Sequence, residues 1–512
     1  MERRAFTTGL GAVSLFAAPG SGLAAPRSGG AINVAIPGEP PTLDPMDSTA
    51  DIVALISQHV FETLYTWGKG MELTPLLAAA MPVVSDGGRD YAIPLRRDVR
   101  FHDGGTMSSA DVLASLQRWL KVAARGRLAN EAIEACTAPD ANTIRLRLRQ
   151  PYAPLLALMS LQANGAVIMP AGKQGVPMVE VVGTGPFRLK ERLPDRYILL
   201  TRFAEYSPRD DEPNGYGGRR TAYLDEVRFV PVPNASTRLE GALSGQYHYA
   251  DSLPVETHGR LLAQRRTEPL LIRNYGQPQM TFNTTQGAFS NVTLRQAALA
   301  SLNMADMLEA AFGDQDFSVL EGSFYPKGAR FYSTARTELY NQANPARARE
   351  LLKTAGYDGR PVRFMASQQV DFHFKIAQIA AENMRQAGFK VTLTVLDLAT
   401  ILQRRSDPAL WEITIGHAPV LPEPSLYTFM SPTAFGWWST PARDAAVAAF
   451  NGETDLDRRA TVLWPTIQRL MYEEVPTVKI GNFAALAARS KALAGVQPAA
   501  WPFFWNTWLE QA

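Results

Sequence analysis

Sulfur chemistry is nearly missing from this chain. Cys136 is the only cysteine, so no disulfide can close within the molecule and no Cys-x-x-Cys metal or redox motif exists. A lone thiol of this kind is commonly a small buried apolar residue. Histidine is scarce too: His59, His102, His248, His258, His373 and His417 are scattered, with no pair at i,i+4. Neither a preformed metal site nor a cofactor is therefore expected. Charge of one sign is also lacking: 51 basic residues against 49 acidic give a net charge of +2, with no concentrated basic face for nucleic acid. No stretch beyond the N-terminus approaches the ~20 apolar residues needed to span a bilayer. Catalytic signatures are absent as well, with no G-x-S-x-G elbow, HExxH helix, Walker loop or G-x-G-x-x-G turn. The run "VGTGPFR", Val182 to Arg188, has Arg188 where a third glycine would be needed. Carboxylates are plentiful, but sequence cannot place two of them for glycoside chemistry. An exported hydrolase stays open as an alternative class.

What is present is a chain of 512 residues, 46% hydrophobic, which calls for two or three domains. Residues 1–25 read as an export signal: Arg3-Arg4, an apolar run from Leu10 to Ala18, then Ala24-Ala25 before Pro26. The paired arginines resemble a twin-arginine signal, an address read by a receptor. A cysteine near the cleavage region is lacking, which excludes a lipoprotein anchor. The expected location is the periplasm, as a soluble protein.

Further on, "AINVAI" reads as a strand ending in a Pro- and Gly-rich loop. In "ANTIRLRLRQ", Ile144, Leu146 and Leu148 alternate with Arg145, Arg147 and Arg149, the period of a half-buried strand. Ser108 and Asp111 form a capping box ahead of Val112, Leu113, Leu116, Trp119 and Leu120 at helical spacing. An α+β module over about 70–183 follows. Later, Asn344, Pro345 and Gly356 bracket a helix, and Gly388 closes another. The strand after Gly388 is expected to bury Phe389, Val391, Leu393 and Val395. Helix alternating with strand argues for layered α/β architecture. The closing "WPFFWNTW" reads as packing against the first lobe.

Several runs, in order, resemble the extracellular solute-binding family 5, the dipeptide-, oligopeptide- and nickel-type periplasmic receptors of ABC importers. They are "LTPLLAAAMPVVSDGGRDYAIPLRRDVRFHDGGTMSSADVLASLQRW", "VGTGPFRLKE", "YLDEVRFVPVPNASTRLEGALSGQYHYAD", "MTFNTTQGAFSNVTLRQAALASLNMADML", "PARARELLKTAGY" and "IQRLMYEEVPTV". The resemblance makes His102-Asp103-Gly104 a structural turn rather than part of a catalytic set. It implies an α/β, two-lobed periplasmic binding protein of the type II kind with an extra subdomain, built on mixed sheets flanked by helices and two crossing hinge strands. One lobe would comprise 31–69, 184–275 and 480–512, with 70–183 as its accessory subdomain, and the other 276–479. The hinge is expected at Tyr275-Gly276 and Lys479-Ile480. A monomer would close on a small solute, peptide-like by default, and deliver it to an inner-membrane ABC permease. A signalling or holdase role is a third possibility.

Peptide-binding relatives hold the peptide ammonium with an aspartate shortly after Gly-Trp. Here the run is "GHAPVLPEP", with His417 for the tryptophan and Val420 where the aspartate is expected. Either Glu423 or another carboxylate replaces it, or the solute has no free amine there: a nickel chelate, opine, sugar or blocked peptide. Ligand-binding candidates are Glu39, Pro40 and Thr42 after the first strand, Tyr275, Asn283, His417, Val420, Glu423, and Trp437 and Trp438 as a cleft wall. For His417 a solute or metal contact stands against a packed loop role. Catalytic and metal residues are not expected.

Overall fold

A computed structural model describes residues 26–313 and 316–510; the expected export signal, residues 1–25, lies outside them. Ile144, Leu146 and Leu148 are buried while Arg145 is exposed, so the alternation does form the strand Thr143–Leu148. With Val83–Ser85, Asp90–Pro94 and Ile133–Asp140 it makes a four-stranded antiparallel sheet. The helix Ser109–Val122 lies against it, its start fixed by Asp111 Oδ2, which accepts from the Ser108 backbone N at 2.9 Å and from Ser108 Oγ at 2.6 Å. Val112, Leu116 and Trp119 are the face that it buries.

The main sheet joins twelve strands among the described residues. At one end, Ala31–Ile36 lies parallel to both Glu226–Pro231 and Tyr249–Leu253, with Tyr197–Arg202 and Phe187–Leu193 antiparallel beyond. At the other, Val362–Ala366 lies parallel to both Val391–Val395 and Ile413–Pro419. Two strands run between the ends: Thr267–Phe282, of 16 residues, and Asn482–Ser490. Gly276 is where the long strand changes partners. Before it the strand pairs with 482–490, after it with 413–419, and Gly276 faces Phe483 on one side and Pro419 on the other. A Cβ there would lie 2.8 Å from Phe483 Cε1 and 2.9 Å from the Ala418 carbonyl, so only glycine fits the crossing.

Two large apolar cores sit on either side of the crossing. Val34, Phe229, Ile144 and Trp119 belong to the first, so the four-stranded sheet shares the core of the first lobe. Phe503, Phe504 and Trp505 are buried in that core too. The second holds Phe282, Phe364, Ile376, Met384 and Ile413. Asn344 caps Pro345–Thr354 by accepting from Arg347 N at 2.9 Å, and Gly356 and Gly388 both adopt the left-handed backbone that ends a helix. One expectation fails: Val395 is 46% exposed. Val391–Val395 is an edge strand, and the helix Asp371–Ala387 covers only its first part.

His102 is the fastener its turn suggested. Its Nε2 meets the Gly185 carbonyl at 2.9 Å, and its backbone N donates to the Gly183 carbonyl at 3.0 Å. Gly183 and Gly185 lie so close to the backbone of His59 and Val60 that a Cβ would stand 2.1 and 2.4 Å from carbonyl oxygens. The glycines of "VGTGPFR" serve chain packing, not a phosphate.

Candidate functional site

In α/β sheets, ligands commonly bind beyond the carboxyl ends of parallel strands. In the second lobe that is the end of Ile413–Pro419, which carries Gly416, His417 and Ala418. The helix Asp371–Ala387 brings His373 to it, with His373 Nε2 2.9 Å from His417 Nδ1. Phe372 and Phe483 set their rings against the pair. Burial pulls His373 down to about 3, helped by the neighbouring His417, and lowers His417 as well, although that ring presents much of its surface to the cleft. Both rings are thus neutral near pH 7, one donating and one accepting.

Beside them is a cavity of about 290 Å³, whose wall includes Gln279, Thr414, Arg405, Phe435 and Trp438. Gln279 Nε2 and Thr414 Oγ1 are buried with no hydrogen-bond partner. The Arg405 guanidinium lies 4.4 Å over the Phe435 ring, and burial holds its pKa below the usual arginine range. Trp438 is 2% exposed and ties its Nε1 to Glu474 at 2.6 Å, so it forms fixed wall. Trp437 packs on Trp411, ring centres 5.7 Å apart, outside this lining.

In the first lobe the loop after Ala31–Ile36 is held by its own contacts. Glu39 Oε1 accepts from Arg192 at 2.6 Å, the same arginine takes the Pro40 carbonyl, and Thr42 Oγ1 accepts from Asp44 N at 3.0 Å. These contacts brace the loop, while Glu39 Oε2 is buried without a hydrogen-bond partner. Asp51, first residue of the helix Asp51–Ser57, is exposed and accepts from Trp501 Nε1 at 2.8 Å. Trp501 N in turn donates to Tyr216 Oη at 3.0 Å. Leu426 of the second lobe packs against this group. No motif in the sequence marks this contact; only the fold brings residue 51 to residue 501.

Three other candidates are placed as follows. Val420 sits beside Tyr275, its N donating to the Tyr275 carbonyl at 3.2 Å. Glu423 cannot replace a missing anchor, because both its oxygens are taken by Arg459, at 2.6 and 3.2 Å, in a pair about 95% buried. That pair lines a second cavity, of about 740 Å³, between Trp67, Tyr91 and Leu156 of the first lobe and Tyr325 and Phe331 of the second. Asn283 is fully buried, and its Nδ2 donates to the Pro408 and Trp411 carbonyls at 2.7 and 3.0 Å. It braces a loop and does not face the cleft. Lys479, expected at the hinge, is buried with its Nζ on the Ser323 carbonyl, and burial draws its pKa down to about 7. The Ile480 carbonyl accepts from Tyr340 Oη at 2.6 Å. Among the described residues, no cluster of three or more His, Cys, Asp or Glu could hold a metal, and no helix is long and apolar enough to cross a membrane.

Two α/β lobes, two crossing strands and a cleft with polar groups left unpaired define a solute-binding protein of the periplasmic-receptor class. The chain belongs to the bacterial extracellular solute-binding proteins, family 5 Middle, whose model matches residues 72–437. It is 26% identical over 488 residues, 90% of both chains, to a probable peptide ABC transporter periplasmic-binding protein, y4tO, of Sinorhizobium fredii. It is also 26% identical over 475 residues, 89% of both chains, to the glutathione-binding protein GsiB of Salmonella typhimurium. Among solved structures it resembles the Helicobacter pylori periplasmic binding protein DppA in complex with the peptide STSA, with a TM-score of 0.78 and 20% identity over 95% of this chain and 99% of that one. It is equally similar in fold to the Agrobacterium tumefaciens protein AgaA bound to agropinic acid, with a TM-score of 0.78 and 24% identity over 94% and 99%.

Proposed function

We propose that this chain captures peptides or peptide-like solutes in the periplasm and delivers them, chemically unchanged, to an ABC permease. Residues 276–479 close as one lobe against residues 31–69, 184–275 and 480–512, the latter carrying 70–183 as an accessory part. The observation that carries this reading is the cleft between the carboxyl ends of the parallel strands. Its wall bears the Arg405 guanidinium over Phe435, and buries Gln279 Nε2 and Thr414 Oγ1 without hydrogen-bond partners. Peptides offer carboxylates, carbonyls and amides that satisfy such groups, and burying them unsatisfied costs about 1–3 kcal/mol each. The relatives named for peptides and glutathione support the same reading. The family and the named relatives are solute-binding proteins, which supports a binder rather than an enzyme. Export by the twin-arginine route and a monomeric state complete the proposal.

Isothermal titration with Ala-Ala, Ala-Ala-Ala and glutathione tests it. Saturable heat with at least one, and its recovery intact afterwards, is the expected result. Heat with none, or conversion of the solute, contradicts it.

A further inference from the structure

Beyond peptide capture as such, and resting on that reading, we infer that the protein selects solutes with a bulky apolar group, an aromatic or branched aliphatic side chain, and seats that group in the cavity of about 740 Å³. The two cavities differ in who builds them. Every residue that lines the cavity of about 290 Å³ falls between Gln279 and Thr477. The larger cavity takes one wall from Tyr91 and Leu156, which belong to the first large core, and the other from Tyr325 and Phe331, which pack in a separate cluster with Trp464. A solute favours a closed form only through contacts that closure creates. Of the two cavities, the larger is therefore the one whose occupation links the two sides.

Each charged side chain of that lining already has a partner. Arg459 holds both oxygens of Glu423, donates its Nε to the Phe450 carbonyl at 3.1 Å and lies 4.2 Å over the Phe450 ring. Arg330 pairs with Asp457 at 3.0 Å, and Glu72 accepts from Asn214 Nδ2 at 2.7 Å. What remains open is apolar. Met81, Val84 and Leu456 line the cavity, yet they are 44%, 43% and 41% exposed. Two come from the four-stranded sheet and the segment before it, and the third from the far wall, so apolar surface from both sides is left in water around one opening. Such a gathering marks a binding site rather than scatter. An apolar group entering there removes its own surface and theirs from water together.

Two observations make the occupant part of the solute. The cavities meet at one wall: Tyr427 lines the smaller, Tyr325 the larger, and their rings meet edge to face with centres 6.1 Å apart. The chain between them is short as well, since Ala418 lines the smaller cavity and Pro422 the larger. A solute held at the first can thus reach the second with a side chain. The other observation is a donor: Trp67 Nε1, in the wall of the larger cavity, is buried with no hydrogen-bond partner. A buried donor of this kind calls for an acceptor. A carbonyl beside an apolar side chain, the repeating unit of a peptide, supplies both. The volume lies within the range of sites that take whole small ligands, about 300–1,000 Å³, so a phenyl or isobutyl group has room.

The test uses the mature chain and an equimolar library of tripeptides in which each position carries Ala, Ser, Asn, Leu or Phe. Captured peptides are released and counted by mass spectrometry. Leu and Phe are expected to be enriched over Ser and Asn at one position by about tenfold or more, the worth of burying one large apolar side chain. Ala329→Trp sets an indole into the cavity from its lining and should remove most of that enrichment. Met81→Ser with Val84→Ser changes only exposed side chains, so the melting temperature should hold while the enrichment falls by a smaller part. This second variant decides the matter if Ala329→Trp does not fold. Even capture of Leu, Phe, Ser and Asn by wild type, or undiminished enrichment in the folded variant, overturns the inference and leaves peptide capture standing. Capture of no tripeptide sinks the peptide reading and the inference with it.

Discussion

Glu423 and Arg459 face each other with side chains 6% and 5% exposed. Removing one member of such a pair strands the other charge out of water. Glu423→Gln should therefore lower the free energy of unfolding by about 3–5 kcal/mol, read from urea titration, without abolishing solute binding in the folded fraction. The histidines give a pH prediction. Burial pulls His59 and His373 to about 3 and His102 to about 4, from an ordinary 6.5. Each stays neutral in the folded chain and takes a proton when unfolded. Their contribution is complete above pH 6.5 and is lost as pH falls toward the folded values, by up to about 1.4 kcal/mol per pH unit and histidine. Thermal melts from about pH 7 down to pH 4 should fall steadily, and His373→Asn should flatten the slope; a slope unchanged by that substitution would contradict the assignment. At this scale the sequence was legible where a residue acts on near neighbours, as in Ser108 with Asp111. It was not where partners are distant: nothing local tells that Glu423 meets Arg459, or Asp51 meets Trp501.

The long strand Thr267–Phe282 joins the two ends of the main sheet. Its register against 482–490 shifts between Ile272 and Gly276, and Asn274 there takes a left-handed backbone, φ 51°. Gly276→Ala would push a methyl into the Phe483 ring and the Ala418 carbonyl, and should destabilise by about 1–3 kcal/mol in chemical denaturation. A neutral result would mean the crossing has slack. Helices and strands were read well from caps and periodicity, because these are local: Asn344, Pro345, Gly356 and Gly388 all stand where a helix starts or stops. Val395 was misjudged because alternation reports which residues share a face, not whether a helix reaches far enough to cover them.

Across the whole molecule the lobes touch. Ala153 N donates to the Asn451 carbonyl at 2.8 Å, Lys375 approaches Glu256 at 3.9 Å, and Leu426 packs on the Trp501 group. These contacts favour the closed arrangement, and a solute adds to them only through its preference for that form. Leu426→Asp should weaken closure, seen as a larger radius of gyration by small-angle scattering and weaker peptide binding at unchanged melting temperature. The fold was legible in the order of family-like runs, whereas the residues that line the cleft were not, since that depends on which side chains the folded lobes bring together. The central claim is that the cleft carries a peptide-like solute unchanged. Native mass spectrometry of the mature protein, purified from the periplasm without denaturation, tests it most directly. The account predicts release of an intact peptide or peptide-like molecule; a bound molecule unrelated to peptides, or one cleaved by the protein, would contradict it.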